Sequence, residues 1–286
     1  FTNLIFFTLK KKEEKILSVL TNSQKEIFGL GDYLRIISFL PNLKYDKIFW
    51  ISDKKIYPIV KQSDRIDKFI DIKNPIRNFF LNKSDLVLNL FEKKNSTKKI
   101  VYMQELFINE GNIKQKTLNL YQELADKFNM KDYEIFSNKK NNYKISNDIF
   151  INWVTPKMWK IKSYPIKLFK NLENNLKTKK FKKIIWQSED DTFNNYVNKI
   201  KEAKIIVSII GLGCHLAMMF NKPLIVLAGP TYFNELDKYK KAKVIFPEHP
   251  CKWRPCNLRT GVDNCGCMGD INYVKIYEKI NLIKNV

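Results

Sequence analysis

The chain is poor in arginine and almost without histidine. Only five of its 51 basic residues are Arg (Arg35, Arg65, Arg77, Arg254, Arg259), the rest are Lys, and it holds two His. Proteins that read base edges favour Arg for its bidentate fork. A formal net charge of +22 carried by lysine therefore argues against specific nucleic-acid recognition. No run approaches the ~20 apolar residues that a membrane-spanning helix needs. The opening FTNLIFFTL has no basic region before it and no small-residue cleavage site after it, so it reads poorly as a signal peptide. There is no internal repeat of fixed period and no long low-complexity segment.

What is present describes a globular protein. The 286 residues are 44% hydrophobic and 13% aromatic, enough for two domains that each bury a core. The lysines are spread over nearly the whole length amid Asn and Ile, a pattern that reads first as the compositional bias of an AT-rich coding sequence. Its functional reading is attraction to an anionic membrane surface or an anionic glycolipid.

Strand-like and helix-like segments alternate, which argues for parallel α/β sheets. In the first half, strands are expected at Leu4–Leu9, Ile27-Phe28, Lys47–Ile51, Phe69–Ile72, Leu86–Leu90 and Lys99–Met103. Helices are expected at Tyr33–Leu43, Tyr57–Lys61, Pro75–Asn82 and over most of Glu105–Phe128. The polar stretch Ser137–Asn147 reads as a linker, giving domains 1–145 and 146–286. The second half restarts with strand Asp148–Trp153, helix Pro165–Leu176, strand Lys183–Gln187 and helix Thr192–Ala203. The βαβ unit Lys204–Thr231 follows, then a strand at Val244–Phe246 and a helix at Tyr273–Ile283. Two such domains would make a cleft, where a ligand sits.

Several residues carry chemistry. In the βαβ unit, Ile205–Ile210 runs into Gly211-Leu-Gly213-Cys-His215, and glycines at a helix start expose amides to an anion. His215 there is either a packed histidine or a ligand contact. Asp32, after Gly29-Leu-Gly31, is either a helix cap or a general base. Lys162, in Lys162-Ser-Tyr-Pro165, is either an ordinary surface lysine or a point charge for a diphosphate. Glu189-Asp190-Asp191 ends a strand: Asp190 and Asp191 read as helix caps, and Glu189 as the ligand contact. Cys251, Cys256, Cys265 and Cys267 share one loop with His249. They are open to three readings: a structural zinc, disulfides, or reduced structural thiols.

Taken together these elements resemble the heptosyltransferase-type glycosyltransferases of family 9, in the GT-B class. Gly31-Asp32 through Leu43-Lys44 resembles that family's "GD-x-L…P…LK", with Ser38 where proline is usual. Lys162-Ser-Tyr-Pro165 resembles K-x-W-P. Gly211–Ala217 with Asn221-Lys-Pro223 and Gly229-Pro-Thr231 resembles "D-[ST]-G-x-x-H-x-A…kP…fGpT", with Ile210 in place of Asp and Leu212 in place of Gly. Cys251…Cys256…Cys265-Gly-Cys-Met268 resembles the family's cysteine-containing ending.

The resemblance implies an α/β fold of two Rossmann-like domains facing a cleft. It implies an inverting enzyme with Asp32 as the base and Lys162, Glu189, Gly211, Gly213, His215 and Thr231 at a nucleotide-sugar donor. No cofactor is expected for catalysis, and the cysteines are candidates for a structural zinc. The acceptor would be a lipopolysaccharide-type or other glycan- or lipid-linked molecule, met at the cytoplasmic face of a membrane. The changes at Ile210 and Leu212 keep open a non-catalytic relative that binds a glycan or a nucleotide sugar. Weaker alternatives are a zinc-stabilised nucleic-acid-binding protein and a GT-A enzyme with Glu189–Asp191 as its metal motif.

Overall fold

The computed structural model describes residues 14–21, 30–90, 97, 99–102, 120–135, 138, 143–178, 181–230, 234–236, 238–251 and 266–284. The chain divides into two compact units, Phe1–Asn112 and Ile113–Val286.

The first unit holds strands β1 (Ile16–Leu20), β2 (Lys47–Ser52), β3 (Lys68–Asp71), β4 (Leu86–Asn89) and β5 (Ile100–Tyr102). They lie in the order β3–β2–β1–β4–β5, and every pairing is parallel. The central strand β1 was not expected from the sequence. It is a five-residue segment, four apolar residues interrupted by Ser18, between KKKEEK and TNSQKE, too short to stand out, yet Ile16, Leu17 and Val19 are buried. The strands expected at Leu4–Leu9 and Ile27-Phe28 lie outside the described residues.

Helices α1 (Leu30–Phe39), α2 (Tyr57–Val60) and α3 (Arg77–Lys83) follow β1, β2 and β3. α1 stops short of the expected Leu43: Pro41 has no N–H to donate, and Leu40–Leu43 tightens to 3-10 geometry. α3 closes one face of the sheet, with Phe80 edge-on to Phe49 at 5.0 Å.

The second unit's first described element is α4 (Leu120–Lys127), which buries Tyr121, Leu124 and Ala125; residues 105–119 of the longer helix expected there lie outside the described residues. Its sheet contains β6 (Asn147–Asn152), β7 (Ile184–Trp186), β8 (Ala203–Ile209), β9 (Leu224–Leu227) and β10 (Ala242–Ile245). The order is β10–β9–β8–β6–β7, again all parallel. Covered on both faces, β8 and β9 read as continuous apolar runs rather than alternating ones.

One face is packed by α5 (Ile166–Thr178) and α8 (Tyr273–Lys284), which bury Phe169, Leu172, Leu176, Ile276 and Ile280 against Ile149, Ile151 and Val207. Each such side chain contributes ~1.5–3 kcal/mol of burial. The other face carries α6 (Phe193–Glu202) and α7 (Leu212–Met219), with Tyr196 edge-on to Phe150 at 6.0 Å. Asn221, in the left-handed region at φ 54°, ends α7, and the Lys222 amide donates back to Ala217 at 2.8 Å. Asn221-Lys-Pro223 is thus a helix stop that feeds β9. Among the described residues no helix is long and apolar enough to cross a membrane.

Candidate functional site

In an open parallel sheet a ligand sits beyond the carboxyl ends of the strands, where the strand order reverses. In the second unit that point lies between β6 and β8, and Asn152 and Ser208 are register partners at their carboxyl ends. Both side chains are buried, and Asn152 Nδ2 donates to Ser208 Oγ at 2.6 Å. The Tyr196 hydroxyl donates to Asn152 Oδ1 at 2.9 Å, and the Ser208 hydroxyl donates to the Ile209 carbonyl at 2.6 Å. The Cys214 thiol completes the cluster, 3.3 Å from that same carbonyl.

α7 starts directly above this cluster. A Cβ on Gly213 would lie 2.5 Å from Asn152 Nδ2 and 2.5 Å from the Tyr196 hydroxyl, so the first turn descends to a depth only glycine permits. Gly211 differs: a Cβ there would meet nothing within 4 Å. It is the N-cap, in extended backbone, and no described side chain caps the helix start. The first turn of α7 therefore presents backbone amides and a positive dipole end towards open space, an arrangement suited to a phosphate. His215 is the fourth residue of α7 and only 6% exposed, so it sits within the turn rather than at its rim.

Lys162 ends a 3-10 stretch, Lys157–Lys162, that follows β6. Its ammonium stands 4.0 Å from the centre of the Trp159 ring. Burial pushes the Cys214 thiol up, opposed by its hydrogen bonds with the Ser208 side chain and the Gly211 backbone and by the positive charge of Lys162. Lys162 is thus close enough to act electrostatically on the first turn of α7. The neighbouring Tyr164 is an anchor: its hydroxyl donates to the Ile271 carbonyl at 2.9 Å, and its ring meets Phe169 edge-on at 4.6 Å. A cavity of about 390 Å³ opens beside it, with Trp153, Thr155, Lys160, Ser163 and Met268 in its wall. Thr155 and Ser163 share a hydroxyl–hydroxyl bond of 2.6 Å there.

Glu189 is exposed at the carboxyl end of β7, the outer strand beside β6. It shares the edge with Gly211 but lies two strands from β8, a separation of about 10 Å. Its neighbours are not the caps expected. Thr192 is the N-cap of α6, accepting from the Asn195 amide at 3.3 Å, while Asp191 accepts from Ser188 and pairs with Lys199 at 2.7 Å. The hydroxyl is the shorter acceptor and sits at the cap itself, which frees Asp191 for the ion pair.

In the first unit, Asp32 lies in the first turn of α1 and pairs with the Arg35 guanidinium one turn on. Tyr33 beside it is 0% exposed, and its hydroxyl accepts from Thr21 Oγ1 at 3.4 Å, which ties this turn to the carboxyl end of β1. Of the cysteines, Cys251 is exposed and Cys267 half-buried. Met268 and Cys267 press on Gly229, where a Cβ would clash with the Met268 sulfur. Cys256, Cys265 and Thr231 lie outside the described residues. Among the described residues no three His, Cys, Asp or Glu side chains are grouped to hold a metal.

Sequence reasoning missed Asn152, Tyr196, Ser208 and Cys214. One signal was available: Ser208 is the lone polar residue in the apolar run Ile205–Ile210.

No family model matches the sequence, and no curated protein sequence matches it. Solved structures do match. The chain is similar to ADP-heptose LPS heptosyltransferase II of E. coli, with TM-score 0.59 and 16% identity, over 94% of this chain and 98% of that one. A glycosyl transferase family 9 structure from Veillonella parvula gives 0.56 and 12%, over 94% and 97%. The E. coli heptosyltransferase WaaC with ADP-2-deoxy-2-fluoro heptose gives 0.53 and 14%, over 93% and 99%. The chain has the α/β GT-B fold of these heptosyltransferases along nearly its whole length. The resemblance read from Asp32, Lys162 and Gly211–Ala217 points to the same group of structures.

Proposed function

We propose that the chain is an inverting glycosyltransferase that takes its sugar from a nucleoside-diphosphate donor. The observation that carries this reading is the carboxyl edge of the second unit's sheet. There an uncapped glycine helix start, the charge of Lys162 and the order reversal between β6 and β8 coincide. In this reading the diphosphate lies against the α7 amides and Lys162, while Glu189, His215 and Thr231 contact the rest of the donor. The Asp32 carboxylate, oriented by Arg35, takes the proton of an acceptor hydroxyl. The hydroxyl oxygen forms the new bond to the anomeric carbon as the bond from that carbon to the diphosphate oxygen breaks. Fixed amides and a lysine stabilise the charge that develops on the leaving group.

Likeness to a structure of WaaC with ADP-2-deoxy-2-fluoro heptose makes ADP-sugars the first donors to test. The acceptor in this reading is a glycan or glycolipid of the lipopolysaccharide type, reached at the inner face of a membrane. A structural zinc held by Cys251, Cys256, Cys265 and Cys267 would brace the tail that packs on Gly229; metal analysis of the purified chain tests it.

A thermal-shift screen of nucleotide sugars, followed by a transfer assay with the donor that stabilises the chain, tests the main reading. Ile210 supports a second one. It is a half-buried apolar residue at the point where the family resemblance expects a carboxylate. A donor that binds without ever being turned over, with any acceptor, would favour a binding protein.

A further inference from the structure

Asn152, Tyr196, Ser208 and Cys214 are buried together between the second sheet and helices α6 and α7. Buried polar groups are costly unless their hydrogen bonds are made, so the partners of each decide what the cluster can do. Ser208 has one hydroxyl hydrogen, and it goes to the Ile209 carbonyl. Its oxygen therefore faces Asn152 as an acceptor, and only the amide nitrogen can answer it. On the other side the buried Tyr196 hydroxyl, with no other acceptor among the described residues, donates to Oδ1. The Asn152 amide is thus held in one of its two flips.

That flip turns a donor towards the helix start. Nδ2 carries a second hydrogen for which the described residues provide no acceptor, and Asn152 is only 3% exposed. The first turn of α7 lies directly over it, since a Cβ on Gly213 would stand 2.5 Å from Nδ2. The cluster carries no negative charge. Burial pushes up both the Tyr196 hydroxyl and the Cys214 thiol, which keeps them protonated at neutral pH. The uncapped amides of α7 and the charge of Lys162 have the same polarity as the Asn152 donor.

We propose that Asn152 is a positioning residue of the diphosphate site. Held in one orientation by Tyr196 and Ser208, it sets the depth of α7's first turn and keeps a donor rather than an acceptor beneath the phosphate. The inference rests on the donor reading above and adds to it the buried group that suits the helix start to an anion.

Inorganic pyrophosphate, a diphosphate without base or sugar, is the probe. It is titrated by calorimetry into the full-length chain at about pH 5.5 and about pH 8.5. The ratio of variant to wild-type affinity at each pH cancels the titration of the probe and of His215 on α7. Asn152→Asp keeps the size of the side chain and the acceptor for Tyr196, but it sets a carboxylate against Ser208. Binding should weaken on the order of 100-fold at the higher pH. The deficit should shrink to about a few-fold at the lower pH, because burial raises the new carboxyl and its proton can again donate to Ser208.

Tyr196→Phe keeps the ring on Phe150 but unlocks the amide, and should weaken binding about tenfold at both pH values. Asn198→Asp puts the same charge on an exposed position in the last turns of α6 and should stay within about twofold of wild type. Urea melts establish that each variant is folded, and Tyr196→Phe carries the test alone if Asp at 152 prevents folding.

Pyrophosphate bound equally by wild type, Asn152→Asp and Tyr196→Phe would make the cluster a packing device only, and would overturn the inference while leaving the donor reading in place. An Asn152→Asp deficit of the same size at both pH values would overturn it too. A wild-type chain that does not bind pyrophosphate would also overturn it, and the donor reading falls with it if no nucleotide sugar binds either.

Discussion

The two units solve the same architectural problem differently. Among the described residues each is a five-stranded parallel sheet, but the first runs β3–β2–β1–β4–β5 and the second β10–β9–β8–β6–β7. In the second unit the carboxyl edge is built from backbone: a helix start lowered onto Asn152 and Tyr196 through Gly213, with Lys162 nearby. In the first unit the corresponding edge relies on one side chain, the Asp32 carboxylate held by Arg35, beside a rim of lysine and apolar residues. Backbone amides and a dipole suit a bound diphosphate, whereas a single oriented carboxylate suits proton removal. The contrast predicts that chemistry and donor binding separate by unit when residues are changed.

The largest effect should come from the first unit. Asp32→Asn is expected to lower turnover by roughly 10²–10⁴-fold, while the donor still raises the melting temperature as it does in wild type. Steady-state transfer assays and thermal melts on the same preparation check both halves. Wild-type turnover in this variant would remove Asp32 from the chemistry.

Two glycines in the second unit make a sharper internal comparison. Gly213→Ala must displace Asn152 or Tyr196, a destabilisation of about 1–3 kcal/mol, together with loss of the donor shift. Gly211→Ala meets no neighbour, so urea unfolding should find its stability close to wild type. Equal stability of the two variants would contradict the packing described at α7.

Lys162→Gln should weaken donor binding about tenfold by calorimetry, with the melting temperature of the free protein unchanged. Its effect on turnover at saturating donor should be far smaller than that of Asp32→Asn.

The smallest effect tests the opposite edge of the second unit. Burial, and then the charge of Lys241, lower the Lys222 ammonium to about 8 from its ordinary 10.5. The unfolded chain therefore binds the proton more tightly than the folded one. The penalty is fully present below pH 8 and is relieved as pH rises from 8 towards 10.5. Between pH 7 and 9 wild type should gain about 1 kcal/mol relative to Lys222→Met. Urea melts of both proteins at the two pH values would show it, and a difference independent of pH would contradict it.

Much of this was legible in the sequence because the strongest signals are local. Glycines after an apolar run marked the start of α7, and the second apolar run marked β9. What was not legible is long-range. Asn152, Tyr196 and Ser208 are brought together by strand register, and no spacing rule links position 152 to 208 or 196 to 213. β1 was missed because four apolar residues and a serine between charged runs look like a loop until β2 and β4 pair with them. Asp191 was misassigned because one acidic residue at a strand end serves a cap or an ion pair equally well, and Lys199 decides between them.

The central claim is that a nucleoside-diphosphate sugar binds at the carboxyl edge of the second unit. A thermal-shift comparison of wild type and Lys162→Gln across a panel of nucleotide sugars, beginning with ADP-sugars, tests it most directly. One donor class should raise the melting temperature of wild type by several degrees at concentrations near 100 times its Kd, roughly 2.7 kcal/mol of linkage, and raise that of the variant far less. A wild-type protein that no nucleotide sugar stabilises would contradict the account.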